Sequence, residues 1–314
     1  MTKKSAIDQQ LIHDIRKVRE DFDKAVSEFT SDLWNYCRYL TGSPWDGEDL
    51  FQDTMLKAMG LLSHRWSEIT DRKNYLFRIA TNTWFDHCRR EKRMVGSLDE
   101  KTSPGDGIEL IDHLMLEDAL HLIESHLPPK QVATLLLFDV FQFTAEEVSG
   151  MVKSTTGGVF ASVQRARKKL ATIDIGKKLE PSAKRANDKI IQAYLAAFNN
   201  GDFEEMLSLF SEQAENEAYL GFQEFSKDEM RKGSLRFGLP GYSAREVILW
   251  ERPVIIVLST GSHGTELHDI QLQEVENNTI VSHRSYFFRK EFILAAAKEL
   301  GLKPQLQKPP VDWS

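Results

Sequence analysis

The sequence predicts a multidomain protein: two all-α blocks, the second containing a helix-turn-helix, followed by one α+β block. Three observations carry this. Apolar residues recur at helical spacing through most of the first 172 positions. A polar stretch, Lys177 to Asp188, then interrupts the pattern. From Ser243 onward, β-branched and aromatic runs alternate with turn residues. Helices followed by a meander of strands favour a sheet with helices on one face.

In the first block, Leu11, Ile15, Val18, Phe22, Val26 and Phe29 form one helical stripe, and Leu33, Tyr36, Cys37 and Leu40 form the next. Thr41-Gly42-Ser43-Pro44 breaks the chain. Glu48 to Leu62 is predicted as a helix with Leu50, Phe51, Met55, Ala58, Met59 and Leu62 on its apolar side. Asn74 to Arg93 closes the block. There Leu76, Ile79, Ala80 and Trp84 share a face, and a basic cluster follows at once.

Val95 to Gly107 is rich in Gly, Ser and Pro and reads as a loop. In the second block, Leu127-Pro128-Pro129 ends one helix and opens another, since proline is tolerated in a first turn. Thr144 and Glu147 form a capping-box pattern. Phe143–Val152 and Thr156–Leu170, separated by Lys153-Ser154-Thr155, have helix-turn-helix spacing. Thr155 is the expected N-cap, and Val159, Val163, Ala166 and Leu170 the expected inner stripe.

The third block opens with two short helices, Asp188–Phe198 and Asp202–Phe210, and a further helix is expected over Phe225–Arg236. Strands are expected at Ser243–Trp250, Pro253–Thr260, Thr265–Val275 and Thr279–Phe288, with Asn277-Asn278 as a tight turn. Glu291–Leu300 is the last helix. The expected boundaries are 1–95, an acidic linker 96–112, 113–175, a linker 176–187, and 188–314.

Net charge is −7 over 314 residues, which argues against an indiscriminate polyanion binder. The distribution is more telling. Residues 72–93 carry seven Lys/Arg and two Asp/Glu, a local +5. Residues 98–126 are a local −7 and residues 153–189 a local +7. Two basic islands around an acidic bridge suit two contacts on one polyanion, because phosphate attraction acts within a Debye length. No apolar run is long enough for a membrane span, and Met1 to Gln10 has no signal-peptide character. The two cysteines, Cys37 and Cys88, have no zinc spacing. The expected compartment is the cytoplasm, with no metal, no cofactor and no catalytic residue.

Three stretches, in order, resemble the extracytoplasmic-function group of sigma-70 family sigma factors. Leu33–Lys57, with Glu48-Asp49-Leu50-Phe51-Gln52 at its centre, resembles the helix that docks on the RNA polymerase clamp. Asn74–Arg93 resembles the helix that reads and helps to melt the −10 element. Leu127–Leu170, from Leu127-Pro128-Pro129-Lys130-Gln131 through Thr144-Ala145-Glu146-Glu147-Val148 to Arg165-Ala166-Arg167-Lys168-Lys169-Leu170, resembles the −35-reading helix-turn-helix.

The resemblance implies core RNA polymerase (the β and β′ subunits) and promoter DNA as partners. Polymerase contacts would come from Glu48, Asp49, Gln52 and Asp53. Contacts to the −10 region would come from Asn74, Tyr75, Arg78, Asn82, Arg89, Arg90 and Arg93. Contacts to the −35 region would come from Thr156, Phe160, Ser162, Arg165, Arg167 and Lys168. A melted strand needs aromatic platforms and cations, stacking being worth roughly 1–3 kcal/mol per base. Trp66, Tyr75 and Phe85 are candidates, whereas Trp84 falls with the core by helical phase. Phe160 departs from the family pattern of a basic or polar residue at that place, and it suits a thymine methyl. Gly157 and Gly158 weaken the first turn.

The C-terminal block resembles the SnoaL-like group of the cone-shaped NTF2-like fold. Ile190–Phe210 and Arg284-Ser285-Tyr286-Phe287-Phe288 carry the likeness. It implies a domain that modulates sigma activity, with room for an anti-sigma protein or a small ligand. Some free-standing relatives are cyclases or isomerases with an acid/base residue. The candidates for that role are His263, His268, Asp269 and His283. Adjacent on a strand, His268 and Asp269 are expected on opposite faces, which favours a structural or ligand-contact role. Trp250 and Phe287 are expected to fill the cone. Two other readings remain: a pocket enzyme tethered to a DNA-binding module, and a polymerase-independent helix-turn-helix regulator.

Overall fold

A computed structural model describes residues 17–18, 21–60, 69–95, 126–171, 189–219, 221–236, 238–239, 241–261 and 264–307; of residues 92–95 it describes the backbone alone. The chain divides into two compact units, Met1–Leu179 and Glu180–Ser314. The linkers expected at 96–112 and 176–187, Trp66, His263, and Leu11 and Ile15 of the first stripe lie outside the described residues.

In the first unit, α1 spans Thr30–Thr41 and ends where Gly42 turns left-handed at φ 64°. That is the break expected at Thr41 to Pro44. Helix α2 spans Pro44–Gly60. It crosses α1 so closely that a Cβ on Gly47 would stand 2.5 Å from the Arg38 Cα. Helix α3 spans Arg72–Val95, and Asn74 N–H donates to Asp71 Oδ1 at 2.9 Å in its first turn. Leu33, Tyr36, Leu40, Leu50, Phe51, Leu76 and Phe77 are all buried between these helices. Each such side chain contributes roughly 1.5–3 kcal/mol by leaving water.

The second helical group starts at α4, Pro129–Leu135, with proline in the first turn as expected. A π-helical turn, Leu136–Val140, follows. Helix α5 is Ala145–Met151 and α6 is Thr156–Leu170. The capping box is present: Glu147 N–H donates to Thr144 Oγ1 at 3.3 Å, and Thr144 N–H donates to Glu147 Oε2 at 2.7 Å. Thr155 caps α6 by accepting from Gly158 N–H at 3.0 Å. Val159, Val163 and Ala166 are buried as expected.

The division into two helical blocks left one feature unforeseen. They share a core. The Phe77 ring stacks on Tyr36 at 4.9 Å and meets Phe141 at 5.3 Å and Phe143 at 5.0 Å.

The second unit is α+β. Helices α7 (Lys189–Asn200) and α8 (Phe203–Ser208) precede strands β1 (Phe210–Ala218) and β2 (Phe222–Glu224). Helix α9 (Lys227–Lys232), capped by Ser226, leads to β3 (Ser243–Leu249), β4 (Arg252–Gly261), β5 (Gly264–Glu276) and β6 (Thr279–Ser285). Helix α10 (Lys290–Leu300) and the short β7 (Lys303–Pro304) complete it. The sheet order is β2-β1-β6-β5-β4-β3, with β7 paired to β5. Asn277 and Asn278 take φ 49° and 61°, the geometry of the expected tight hairpin turn. Side chains from α7, α8 and α9 pack with Phe210, Ala214, Ile255, Val257 and Ile280 in one core.

Two expectations fail here for local reasons. Trp250 does not fill the cone. With Glu251 it makes the β3–β4 turn, at φ 46° and 64°, and its ring packs edge-on against Phe292 of α10 at 5.3 Å. His268 and Asp269 do not point to opposite faces. The β4–β5 register shifts between Val257–Asp269 and Leu258–Leu267, leaving His268 as the extra residue of a β-bulge. Both side chains therefore line the same cavity, together with Phe287.

Candidate nucleic-acid interface

Helix α3 has two unlike sides. Leu76, Phe77, Ala80, Thr81 and Trp84 are buried, so Trp84 belongs to the core. Tyr75, Arg78, Asn82, Phe85 and Arg89 follow at spacings of three and four along the other side, half-buried or exposed. The Arg78 guanidinium lies 5.3 Å from the Tyr75 ring centroid, a cation–π pair with a flat face and a charge side by side. Asn82 Nδ2 donates to the Arg78 carbonyl at 2.8 Å, which fixes its amide on the helix surface. Arg89 hydrogen-bonds Asp86 and holds that carboxyl below its ordinary range. Arg90 is exposed, and Arg93 lies on the last turn of the helix. Asn74 has a second role. Its side chain hydrogen-bonds Glu147, the partner of Thr144 in the capping box of α5, and helps Thr144 to lower that carboxyl's pKa.

Two of the four residues expected to meet the polymerase are buried. Glu48 is fully enclosed: its carboxylate accepts from Trp34 Nε1 and from Gln52 Nε2, both at 2.8 Å. Gln52 is 7% exposed. A residue three or four positions from a helix start reads as surface capping in sequence, but here the close α1–α2 crossing encloses it. The outward face of α2 is instead Asp46, Asp49, Asp53 and Leu56. Leu56, which sequence reasoning did not single out as a contact, is 57% exposed. Asp53 also faces His87 of α3 at 3.3 Å.

On α6, Thr156, Phe160 and Arg165 are exposed, Phe160 at 56%. Its ring meets Phe138 edge-on at 5.6 Å. Ser162 is 7% exposed and faces inward beside Val163, so it does not belong to the outer face. Arg167 is exposed but tethered: Nε and Nη2 donate to the two Asp139 oxygens at 3.0 and 2.7 Å. The π-helical turn supplies Asp139, and nothing in sequence periodicity marked it. Lys168 is half-buried. Gln164, one turn beyond Phe160, is exposed on the same face and was legible from that spacing.

The arrangement offers one helix with alternating rings and cations, and a second, capped helix with Thr156, Phe160 and Gln164 aligned. The first suits unstacked bases and the second the edge of a duplex groove. Among the described residues there is no cluster of His, Cys, Asp and Glu suited to a metal ion, and no helix long and apolar enough to cross a membrane.

The sigma-70 region 2 family model matches residues 25–94. The extracytoplasmic-function RNA polymerase sigma factor SigG of Mycobacterium tuberculosis (strain ATCC 25618 / H37Rv) is 28% identical over 226 residues, covering 62% of this chain and 60% of SigG. The RNA polymerase sigma-E factor of Streptomyces coelicolor is 25% identical over 169 residues, covering 52% of this chain and 91% of that protein. Among solved structures, the M. tuberculosis sigma factor SigJ aligns over 85% of this chain and 98% of its own, at 18% identity and a TM-score of 0.32. The chain thus spans 60% of the length of SigG. The matched region 2 carries α1, α2 and nearly all of α3, and over these helices the chain is similar to sigma factors of the extracytoplasmic-function group.

Proposed function

We propose that the chain is a promoter-specificity subunit, acting by binding and not by bond-making. The outward face of α2, with Asp49, Asp53 and Leu56, docks on core RNA polymerase at its β and β′ subunits. Tyr75, Arg78, Asn82 and Phe85 of α3, followed by Arg89, Arg90 and Arg93, hold the opened −10 strand. Thr156, Phe160 and Arg165 of α6 meet the −35 duplex, with Gln164 beside them and Lys168 on phosphate. The C-terminal unit modulates this activity. The protein works in the cytoplasm, where its partners are.

The observation that carries the reading is the two-sided α3. Its inner side is core, and its outer side interleaves rings and cations on the matched family segment. A duplex-only regulator has no use for such a surface, because paired bases do not present their faces.

The test is transcription in vitro with purified core polymerase, comparing the full chain with a chain ending at residue 179. The full chain is expected to direct initiation at a defined promoter, and the shortened chain to initiate at a different level. Failure of the full chain to bind core polymerase would sink the assignment. Equal transcription by both chains would sink the modulatory role alone.

A further inference from the structure

The outer face of α6 changes character along its length. None of the nine residues from Thr156 to Gln164 is charged, and the exposed side chains among them are Thr156, Phe160, Ala161 and Gln164. The four cations Arg165, Arg167, Lys168 and Lys169 all follow in the C-terminal half. In a helix-turn-helix the N-terminal residues of the second helix reach the base edges, while phosphate contacts fix its placement. Nothing lies within 4 Å of where a Gly157 side chain would begin, so the backbone of that first turn is open to a close approach.

A single exposed ring is ordinary on a protein surface, but the Phe160 ring is held. Phe138, half-buried on the π-helical turn, meets it edge-on at 5.6 Å and 81°. The next residue of the same turn, Asp139, grips Arg167 through both carboxylate oxygens at 3.0 and 2.7 Å. Phe160 and Arg167 lie seven residues apart, about two helical turns, so the π-helical turn braces α6 at two levels. The brace still leaves Phe160 56% exposed. A ring fixed at one angle presents apolar surface with little rotamer freedom left to lose on binding.

The chemistry of this face selects among base pairs. Arg and Lys read guanine, and neither occurs among the nine residues. Thr, Ala and Phe suit the thymine C5-methyl group, and Gln pairs with adenine N6 and N7. We infer that α6 reads its duplex through thymine methyl groups and adenine edges, with Phe160 as the methyl reader, Phe138 as the residue that positions it, and Gln164 on adenine. This rests on the promoter reading above and gives it a base preference: adjacent A·T pairs in the −35 element, with guanine unspecified under the first half of α6. A protein partner fits the face less well, because the four cations continue it and match phosphate.

In the test, the full chain bound to core polymerase selects from a pool of duplexes randomised through the −35 and −10 elements. A −35 element with adjacent A·T pairs is expected. Each thymine of that element is then replaced in turn by deoxyuridine, which removes the methyl group and keeps the pairing. At one thymine or more, binding should weaken roughly four-fold, the fold-change that corresponds to losing one buried CH₂ group. Phe160→Ala should bring the thymine-to-uracil ratio near one. Phe138→Leu, which keeps the turn apolar, should lower the ratio with the circular dichroism spectrum unchanged. Arg165→Ala should weaken both duplexes alike and leave the ratio intact. An element of guanine and cytosine alone overturns the inference, and so does equal binding of the thymine and uracil forms. An undiminished ratio in Phe160→Ala or in folded Phe138→Leu does the same. If Phe138→Leu fails to fold, Phe160→Ala decides. Loss of core capture in Phe160→Ala would make the ring a protein contact and also overturns it. Failure of the full chain to bind core polymerase sinks the promoter reading instead. The same selection with the chain alone then decides, and no enrichment there overturns the inference.

Discussion

The Phe143 ring lies 5.0 Å from the Phe77 ring, one at the entrance to the helix-turn-helix and the other in the second turn of α3, on its inner face. Lys73 adds a cation 5.6 Å from the Phe143 centroid, and Phe141 closes the other side of Phe77 at 5.3 Å. The two helical groups, for which separate promoter roles are proposed above, are thereby held through one aromatic cluster. Phe143→Ala should cost the helical unit about 3–5 kcal/mol, the range for deleting a buried aromatic side chain. It should also speed amide exchange in the first turns of α3. Denaturant unfolding combined with hydrogen exchange reads both. A loss below about 1 kcal/mol would mean that the contact does not hold the two groups together.

Glu48 and Asp49 are neighbours with opposite fates. Removing the Glu48 carboxylate strands two donors, Trp34 Nε1 and Gln52 Nε2, inside the α1–α2 contact. Glu48→Ala should therefore destabilise by about 2–4 kcal/mol, since each buried group left unsatisfied costs roughly 1–3 kcal/mol. Asp49→Ala, on the outward face, should change stability by less than about 0.5 kcal/mol while weakening capture of core polymerase. Thermal unfolding beside a core-binding assay separates the two effects. Unchanged polymerase affinity in Asp49→Ala would move the docking surface elsewhere.

These residues also show where sequence reading succeeds and where it stops. The two capping threonines, Thr144 and Thr155, were legible because capping is local: donor and acceptor lie three residues apart. The inner side of α3 was legible because burial follows helical phase, although Phe77 emerged only with the second helical group in place. Glu48 was misread because its enclosure depends on Trp34, fourteen residues away on another helix. Strands β1 and β2 were missed because β1 reads Phe210 to Ala218 with three glutamates, and its half-polar pattern resembles a helix end. The shared face of His268 and Asp269 was hidden because a bulge is set by pairing with β4, and strict alternation assumes none.

On α6, Arg165 and Phe160 should fail differently. Arg165 is exposed with a side chain suited to phosphate, so Arg165→Ala should weaken −35 duplex binding on all sequences alike. It should also lower the salt slope by about one. Phe160 carries no charge. Phe160→Ala should leave the salt slope intact, reduce discrimination between promoter and scrambled duplex, and change stability by less than about 0.5 kcal/mol. Fluorescence anisotropy at several salt concentrations distinguishes these outcomes. A changed slope in Phe160→Ala would show that the helix docks in another orientation.

Acid should weaken the C-terminal unit through His283. Burial lowers its pKa to about 4, from an ordinary value near 6.5. Its neighbours are the Tyr194 and Phe210 rings, centroids 6.0 and 5.9 Å away, and Gln273 Nε2, 3.1 Å from Nδ1. None of these supplies a negative charge to offset a proton. As pH falls from 6.5 towards 4, the unfolded chain takes up a proton that the folded chain refuses. The unfolded state then binds more protons, so stability falls with pH across that window, by up to about 3 kcal/mol. Glu217 is shifted upward by burial and works in the opposite sense, so a single pH scan mixes the two. His283→Gln isolates the effect, because Gln cannot titrate and Glu217 is unchanged. Amide exchange in β6, followed at pH 7, 6 and 5 and corrected for the intrinsic rate, should show the protection of the wild type falling faster than that of His283→Gln. Parallel decline in the two proteins would mean that His283 takes its proton with the fold intact.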